Sequence, residues 1–381
     1  ISACLVGSEM CIRDRFKAVP NPPGKGGDVT IATWLTTTPL TPLDQNPMLQ
    51  EVNKELNANL KLNLVPFADY QQTRFAAMVA GGDLPDIFFV PPRINVNQLP
   101  AFLDSQAADL TPFLSGDAVK DYPNLANIPT FSWKPAVFNG KIFGVPVPSG
   151  WYTATVFTHQ EYLDPTNAAQ PKTTDEFLKL CQQLNKPDQN RWAIAMEQGV
   201  AYGVGESFIP AMFKAPNGWR LEASGRLTRS YETPEFKAAV GYAVSLVKAN
   251  VMDMENNNVA AKDAFQSRKA AMRWDGWGAY GQYWDAALKY NPPGTIRTLR
   301  PFSNDGSQPT YFLGSGSFGF TAIRKASADR VKELLGILNY LASPFGSQEW
   351  LLLRFGVKDQ DFSFDANGSP VLTQKGQNDV K

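Results

Sequence analysis

The fold is decided by residues 69–90, DYQQTRFAAMVAGGDLPDIFFV. Asp69 is a candidate N-cap of a helix. The residues after it place apolar side chains at i, i+3 and i+4, the spacing of one helical face: Phe75, Met78 and Val79. Gly81 and Gly82 then end the helix. The apolar run Ile87–Val90 follows a turn and predicts a short strand that is buried on both faces.

Two further strand-like runs precede this stretch, Val29–Trp34 and Leu62–Val65. Between them, the segment Met48–Leu56 is predicted to be a helix. The resulting order of strand, helix, strand, helix and strand requires right-handed crossovers and predicts a mostly parallel sheet. The sequence therefore predicts an α/β fold.

Composition excludes several classes of protein. A chain of 381 residues with 43% hydrophobic residues can bury a large core, and its length predicts about two domains. The 36 basic and 36 acidic side chains cancel, which argues against a nucleic-acid-binding protein. No run approaches the ~18 apolar residues of a membrane-spanning helix. The composition thus favours a protein of about two domains and argues against a nucleic-acid-binding or membrane-spanning protein.

Several short motifs resemble one family. The turn Gly82–Asp86 and the strand after it resemble the signature of extracellular solute-binding proteins of ABC transporters, with the sugar-binding families closest. Asp109–Phe113, Asn139–Pro146 and Phe265–Met272 resemble further segments of the family, in the same order along the chain. The C-terminal residues resemble a hairpin of its lipoprotein subgroup. The resemblance implies a periplasmic-binding-protein-like fold of type II, with two α/β lobes, a hinge and a ligand cleft between the lobes.

The resemblance also implies a division of the chain. Residues 1–15 resemble the translation of a sequencing adapter and are treated as an assembly artefact. Residues 16–27, rich in Pro, Gly and Lys, are predicted to be a linker. The expected lobes are 28–148 plus 294–322 and 149–293 plus 323–381. The chain is expected to be a fragment that lacks its true N-terminus.

Candidate ligand-binding residues are aromatic or polar and follow predicted strands. The resemblance implies that the residues just after Met272 turn an aromatic ring toward the cleft, so Trp274 and Trp277 are expected to supply stacking surfaces for a sugar and Asp275 to accept hydrogen bonds from its hydroxyls; a buried aromatic turn is the alternative for this cluster. For Trp151 and Tyr152, a site and a core position remain equally open. In open α/β sheets, ligands bind near the carboxyl ends of the strands. Three further candidates lie at or just after the ends of predicted strands: Trp34, Thr36 and Arg93.

Other motifs do not support catalysis or metal binding. His159 is the single histidine, and no Gly-x-Ser-x-Gly elbow accompanies it. Cys181 lies on the apolar face of a predicted helix and is expected to be buried. One histidine and one usable cysteine do not make a zinc site. The glycines at 314, 316 and 319 match a dinucleotide-binding pattern, but β-prone sequence follows them instead of a helix. No cofactor, metal or catalytic residue is predicted.

The predicted function is binding without chemistry. A carbohydrate, in particular an oligosaccharide, would dock between the lobes, and its higher affinity for the closed state would shift the hinge equilibrium. The protein would be a monomer at the extracellular membrane face or in the periplasm, held by a lost lipid anchor, and would deliver the ligand to an ABC permease. One alternative is a glycoside hydrolase with paired carboxylates, for which Asp275 and Glu206 are the candidates. A carbohydrate-binding sensor without a transporter is the other.

Overall fold

The computed structural model describes residues 15–35, 40–92, 98–164, 170–196, 208–253 and 258–380. The strands are β1 Asp28–Leu35, β2 Asn59–Pro66, β3 Ile87–Val90, β4 Val137–Phe138, β5 Lys141–Ile142, β6 Val145–Pro148, β7 Ala154–His159, β8 Trp192–Ala195, β9 Trp219–Leu221, β10 Leu227–Arg229, β11 Met252–Asp253, β12 Ala270–Gly276, β13 Ile296–Thr298, β14 Ser317–Ile323, β15 Phe362–Phe364 and β16 Pro370–Leu372.

Helices connect most of these strands. They are α1 Pro47–Leu56, α2 Phe67–Asp69, α3 Phe75–Gly81, α4 Leu99–Gln106, α5 Thr111–Leu114, α6 Pro123–Ala126, α7 Gln160–Leu163, α8 Thr174–Leu184, α9 Ile209–Met212, α10 Pro234–Lys248, α11 Asn258–Gln266, α12 Tyr280–Leu288, α13 Ala328–Leu341, α14 Gln348–Phe355 and α15 Gly376–Asp379. A π-helical turn, Tyr70–Arg74, joins α2 to α3. Within the described ranges, no helix is long and apolar enough to cross a membrane.

The chain divides into two compact units. Unit 1 comprises Ile1–Ser149 and Ser315–Lys381, and unit 2 comprises Gly150–Gly314. Unit 1 contains a five-stranded sheet in the order β2-β1-β3-β14-β6. Strands β2, β1 and β3 are parallel, as the order of strands and helices predicts, and β14 and β6 add antiparallel pairs. The sheet is therefore mixed around a parallel core.

Unit 2 has a second five-stranded sheet, in the order β11-β8-β12-β7-β13. Strands β11, β8 and β12 are parallel, whereas β7 and β13 run antiparallel to their neighbours. One face of the sheet packs against α8 and α10 through side chains such as Phe177 and Leu246. The other face packs Phe157 against Phe265 and Tyr283, which come from α11 and α12. The sheet is thus covered by helices on both faces, as expected for an α/β layer.

Residues 69–90 form the predicted elements with one shift. Its helical segment begins at Phe67, directly after Pro66, so Asp69 lies inside the helix and does not cap it. Phe75 and Met78 are buried as predicted, and Gly82 ends the helix with a φ of 67°. That left-handed backbone favours glycine because it has no Cβ.

Asp86, the last residue of the family-like turn, holds three elements of unit 1 together. Its Oδ2 accepts hydrogen bonds from the Thr30 amide at 3.0 Å and from the Thr30 hydroxyl at 3.1 Å. Arg330 Nη2 of α13 donates to the same oxygen at 3.0 Å. Burial alone would raise the pKa of Asp86, but the hydrogen bonds from Thr30 and the charge of Arg330 outweigh it and lower the pKa. Asp86 therefore ties β1, β3 and α13 as a carboxylate.

The unit boundaries differ from the predicted lobes at the C-terminal end. Residues 323–381 were expected with 149–293, but they belong to unit 1, because α13 buries Val331, Leu334 and Leu335 in the same core as Val29. The segment 294–314 was expected in the first lobe, but it belongs to unit 2. There β13 pairs with β7, with Ile296 opposite His159.

Residues 16–27, predicted to be a linker, lie against unit 1. The amides of Ala18 and Val19 donate to the Glu349 carboxylate at 3.0 and 2.9 Å. The Lys25 amide donates to Glu333 Oε1 at 2.9 Å, and the Gly24 amide donates to the Leu56 carbonyl at 2.8 Å. These four backbone amides find acceptors in unit 1, so the residues are part of its folded structure.

Candidate functional site

The start of β7 and the end of β12 meet at one edge of the sheet of unit 2. The two strands are antiparallel, and Gly276 lies opposite Ala154. The residues just before β7 and just after β12 are therefore neighbours. The Trp277 amide donates to the Thr153 carbonyl at 3.0 Å. The Gly314 amide donates to the Trp151 carbonyl at 2.8 Å, which brings in the segment after β13.

Five aromatic residues gather at this place, and we call them the aromatic edge: Trp151, Tyr152, Trp277, Tyr280 and Tyr311. Trp151, Tyr152 and Trp277 are 46%, 61% and 42% exposed. Such exposure is unusual for large rings, which folded proteins generally bury. Three of the residues predicted from the sequence to bind ligand are thus brought together by the fold.

Three rings of the aromatic edge, Tyr152, Trp277 and Tyr311, are held in place by contacts with one another. Tyr152 and Tyr311 make an edge-to-face contact, with ring centroids 4.9 Å apart. The Tyr311 hydroxyl donates to the Ala154 carbonyl and accepts a hydrogen bond from the Trp277 side chain. Burial is the main cause of the raised pKa of Tyr311, which keeps the phenol protonated. Trp277 also packs edge-on against Phe157, with centroids 5.8 Å apart. The exposed faces of Tyr152 and Trp277 therefore belong to rings with restricted motion.

Asp275 is engaged within unit 2. Its Oδ2 accepts a hydrogen bond from Arg273 Nε at 3.1 Å and another from the Tyr283 hydroxyl. Its Oδ1 accepts from the Gly276 amide at 2.7 Å. Arg273 is 1% exposed, so its buried charge requires a carboxylate partner. The carboxylate therefore has a structural role, and acceptance by Asp275 of a hydrogen bond from a sugar hydroxyl stays a prediction.

Trp274 lies on the other face of β12. Side chains alternate along a strand, so Trp274 points away from the face that Arg273 and Asp275 share. Its ring packs against Phe208 with centroids 5.6 Å apart, and it borders the core of that face. The structure does not bring Trp274 into the aromatic edge, and its contact with ligand stays a prediction.

Unit 1 carries the remaining described candidate. Trp34 lies at the end of β1 and packs edge-on against Phe67 at 5.0 Å and Phe318 at 5.5 Å between ring centroids. Phe318 is 37% exposed. Thr36 and Arg93 lie outside the described residues, as does Glu206 of the hydrolase alternative.

His159 is held in the core of unit 2. It is 1% exposed, and its Nε2 lies 2.8 Å from the Phe265 carbonyl oxygen. Its Nδ1 lies 3.5 Å from Glu161 Oε1. Burial acts to raise the pKa of Glu161, but its electrostatic interaction with His159 and the hydrogen bond from the Thr295 amide prevail and lower the pKa to about 2. The position of His159 agrees with a structural role.

Cys181 and the glycine pattern have the roles predicted for them. Cys181 is fully buried, and burial raises the pKa of its thiol, which disfavours the thiolate nucleophile. Gly319 lies within β14 with a φ of 98°, and a Cβ there would lie 2.5 Å from the Val90 carbonyl oxygen. Glycine is required at position 319 because β14 and β3 approach closely there. The glycine pattern continues into strand β14 and not into a phosphate-binding helix.

Two features of this region were not predicted from the sequence. Tyr311 lies in a segment without a helical or strand period, so only its contacts with Tyr152 and Trp277 identify it. The β9–β10 hairpin was also overlooked, although Trp219 and Leu221 alternate with polar residues before the turn at Gly225. That alternation was the available signal.

Comparisons with known proteins agree with this architecture. Residues 48–354 match the bacterial extracellular solute-binding protein family. The polygalacturonan/rhamnogalacturonan-binding protein YtcQ of Bacillus subtilis is 23% identical over 342 residues, which are 85% of this chain and 66% of the relative. The lipoprotein LipO of the same organism is 22% identical over the same shares of the two chains. The chain thus spans just under two thirds of the length of these curated relatives.

The structure of a galacto-N-biose/lacto-N-biose I-binding protein of an ABC transporter from Bifidobacterium longum is similar in fold. The TM-score is 0.61 at 14% sequence identity, covering 92% of this chain and 79% of that one. The prediction of an α/β fold of the type II periplasmic-binding-protein class is therefore confirmed. The predicted absence of enzymatic activity agrees with the family, whose members bind solutes. The chain belongs to the bacterial extracellular solute-binding protein family.

Proposed function

We propose that this chain binds a carbohydrate at the aromatic edge of unit 2 and serves as the extracellular solute-binding component of an ABC importer. The observation that carries the proposal is the gathering of three exposed rings, Trp151, Tyr152 and Trp277, where β7 begins and β12 ends. The apolar C–H face of a sugar ring stacks on such surfaces, while its hydroxyls stay hydrogen-bonded to water or to polar groups.

The rings suit a binding site because they are already positioned. Tyr311 contacts Tyr152 and accepts a hydrogen bond from Trp277, so little side-chain freedom is lost when a ligand stacks on them. Preorganised groups bind more tightly because the cost of ordering them has been met on folding. Aromatic residues also dominate the binding energy of many interfaces.

The relatives support a carbohydrate as the class of solute. YtcQ is named for polygalacturonan and rhamnogalacturonan binding, and the Bifidobacterium longum protein was solved with lacto-N-biose. The relative LipO is named a lipoprotein, and this supports attachment of the protein to the membrane by a lipid anchor. Delivery of the sugar to the transmembrane subunits of a permease completes the proposal.

Isothermal titration calorimetry of the chain with neutral and acidic oligosaccharides tests sugar binding. Trp277→Ala is expected to weaken binding of the recognised sugar by about 30-fold, the equivalent of about 2 kcal/mol for an aromatic residue at the centre of a site. Trp277→Phe keeps a ring and should lose less. Phe345→Ala is the control, because Phe345 is an 80% exposed ring in unit 1.

Thermal melting of each variant establishes that it is folded before its affinity is compared. Binding of no oligosaccharide, or equal affinities of the chain and of folded Trp277→Ala, would refute the aromatic edge as the site. Transport is tested separately, by measuring whether sugar uptake by cells depends on the native protein and on the proposed permease subunits.

A further inference from the structure

The β9–β10 hairpin of unit 2 has two faces of different character. Leu227 pairs with Leu221, and Arg229 pairs with Trp219, in an antiparallel register. Because side chains alternate along each strand, these four residues share one face of the hairpin. Arg220 and the buried Thr228 belong to the other face.

The second face attaches the hairpin to unit 2. Arg220 Nη1 lies 3.1 Å from Glu235 Oε1, in the first turn of α10, and its Nε lies 3.0 Å from Glu222 Oε1. The first face is consequently turned toward solvent. Trp219 is 51% exposed, and Tyr231, just after β10, is 60% exposed. This is a surface of large rings that unit 2 does not cover.

Arg229 brings a positive charge to that surface. Its guanidinium carbon lies 4.5 Å from the centroid of the Trp219 ring and 5.0 Å from that of Tyr231. No carboxylate among the described residues lies within 4.0 Å of Arg229, whereas Arg220 on the other face has two. Stacking uses the flat sides of a guanidinium and leaves its in-plane N–H donors available, and these match the two oxygens of a carboxylate.

The hairpin is connected to the aromatic edge through the backbone of unit 2. Asn217, two residues before Trp219, donates from Nδ2 to the Leu313 carbonyl at 2.9 Å. The next residue, Gly314, donates its amide to the Trp151 carbonyl at 2.8 Å. Leu313 is itself 41% exposed. Two hydrogen bonds therefore link the segment before the hairpin to the aromatic edge within unit 2.

We propose that the hairpin face of Trp219, Arg229 and Tyr231 is a further carbohydrate-binding surface that recognises the carboxylate of a uronic acid. The ligand is then an anionic oligosaccharide: a pyranose stacks on an exposed ring, and its carboxylate pairs with Arg229. The inference rests on the proposed function, because it names the class of sugar that the same unit binds. Charge complementarity argues for this occupant, since Arg229 is a cation on an aromatic face without a described carboxylate partner.

The test compares acidic sugars with their methyl esters, which keep the ring and remove the charge. Calorimetry is performed with tetrasaccharides of galacturonate, mannuronate and glucuronate, with their methyl esters and with a neutral tetrasaccharide. We expect at least one acid to bind about 10- to 100-fold more tightly than its ester, the range for a hydrogen bond to a charged group. Added salt should weaken binding of the acid and leave that of the ester nearly unchanged.

In Arg229→Gln, the affinities for the acid and for its methyl ester should differ by no more than about twofold, because the substitution removes the charge and the paired donors. Arg229→Lys, which keeps the charge without the planar fork, should retain part of the preference for the acid. Arg226→Gln is the matched control: Arg226 is an exposed arginine of the same hairpin, and the strand alternation assigns it to the opposite face. This control should bind the acid and the ester as the unmodified chain does.

The outcomes separate this inference from the proposed function. Equal affinities for acid and ester, or an acid preference that persists in Arg229→Gln, would overturn the hairpin assignment while Trp277→Ala still weakens binding. If Trp277→Ala leaves every affinity unchanged, the proposed function fails at the aromatic edge. If no tetrasaccharide binds, both are refuted. The salt dependence of the unmodified chain keeps the test decisive even if a hairpin variant does not fold.

Discussion

Replacing Asp275 by alanine tests whether this carboxylate is structural. The substitution removes the partner that lies 3.1 Å from Arg273 Nε, and also the acceptor of the Tyr283 hydroxyl. Arg273 is 1% exposed and keeps its charge, and breaking a buried ion pair in this way costs about 3–5 kcal/mol. The side chain of Asp275 is 27% exposed, so water can partly replace the carboxylate. We therefore expect a loss at the lower end, about 3 kcal/mol.

Hydrogen–deuterium exchange locates this loss within the chain. At about 1.4 kcal/mol for each factor of ten, amides of β12 and β7 should exchange roughly 100-fold faster in Asp275→Ala. Peptides of unit 1 serve as an internal reference. Asp285→Ala is the matched control, because Asp285 is an exposed aspartate of α12 on the surface of the same unit.

A double variant distinguishes loss of charge pairing from loss of packing. Arg273→Met combined with Asp275→Ala removes both charges, and exchange of buried ion pairs for apolar side chains is often neutral in stability. The double variant should therefore recover more than half of the lost stability. If Asp275→Ala accelerates exchange no more than Asp285→Ala does, the ion pair does not stabilise unit 2. If it abolishes sugar binding at unchanged stability, Asp275 is a ligand residue, as the sequence first indicated.

Two further predictions concern other carboxylates. Asp86→Ala should lower the unfolding free energy of unit 1 by about 2 kcal/mol in urea denaturation, because Arg330 loses an oxygen at 3.0 Å; an unchanged midpoint would contradict the tie between β3 and α13. The pKa of Glu161 is lowered to about 2 from its ordinary 4.5. Between these pH values the unfolded chain therefore binds a proton at Glu161 that folded unit 2 does not bind. The ionised Glu161 stabilises the folded state fully above about pH 4.5, and this contribution is lost as the pH falls toward 2. Acid unfolding of Glu161→Gln, followed by circular dichroism, should accordingly depend less steeply on pH in that interval, and an identical slope would count against the assignment.

Much of the candidate site could be predicted because its residues lie next to the ends of strands. Trp151 and Tyr152 precede β7 and Trp277 follows β12, so their positions beside strands are visible in the sequence. What could not be predicted is which neighbour each side chain takes. Asp275 turns toward Arg273 and Tyr283 because odd and even positions of β12 face different layers of unit 2.

By itself, the sequence determined the local elements. The spacing of Phe75 and Met78 gave a helix, the run Ile87–Val90 gave a strand buried on both faces, and Asn139 and Gly140 gave the turn between β4 and β5. These patterns repeat over a few residues, since helical and strand periods and left-handed turns depend on nearby chain geometry.

Only the tertiary structure decided which distant segments join each unit. The assignment of α13 to unit 1 depends on burying Val331 and Leu334 beside Val29, and that of β13 to unit 2 depends on its pairing with β7. The aromatic edge likewise depends on the contact between Tyr311 and Tyr152, which are 159 positions apart in the chain. No short window of sequence records such a contact. Such contacts form when a unit buries its apolar faces and pairs the edges of its strands at the same time. They are therefore a property of the whole fold.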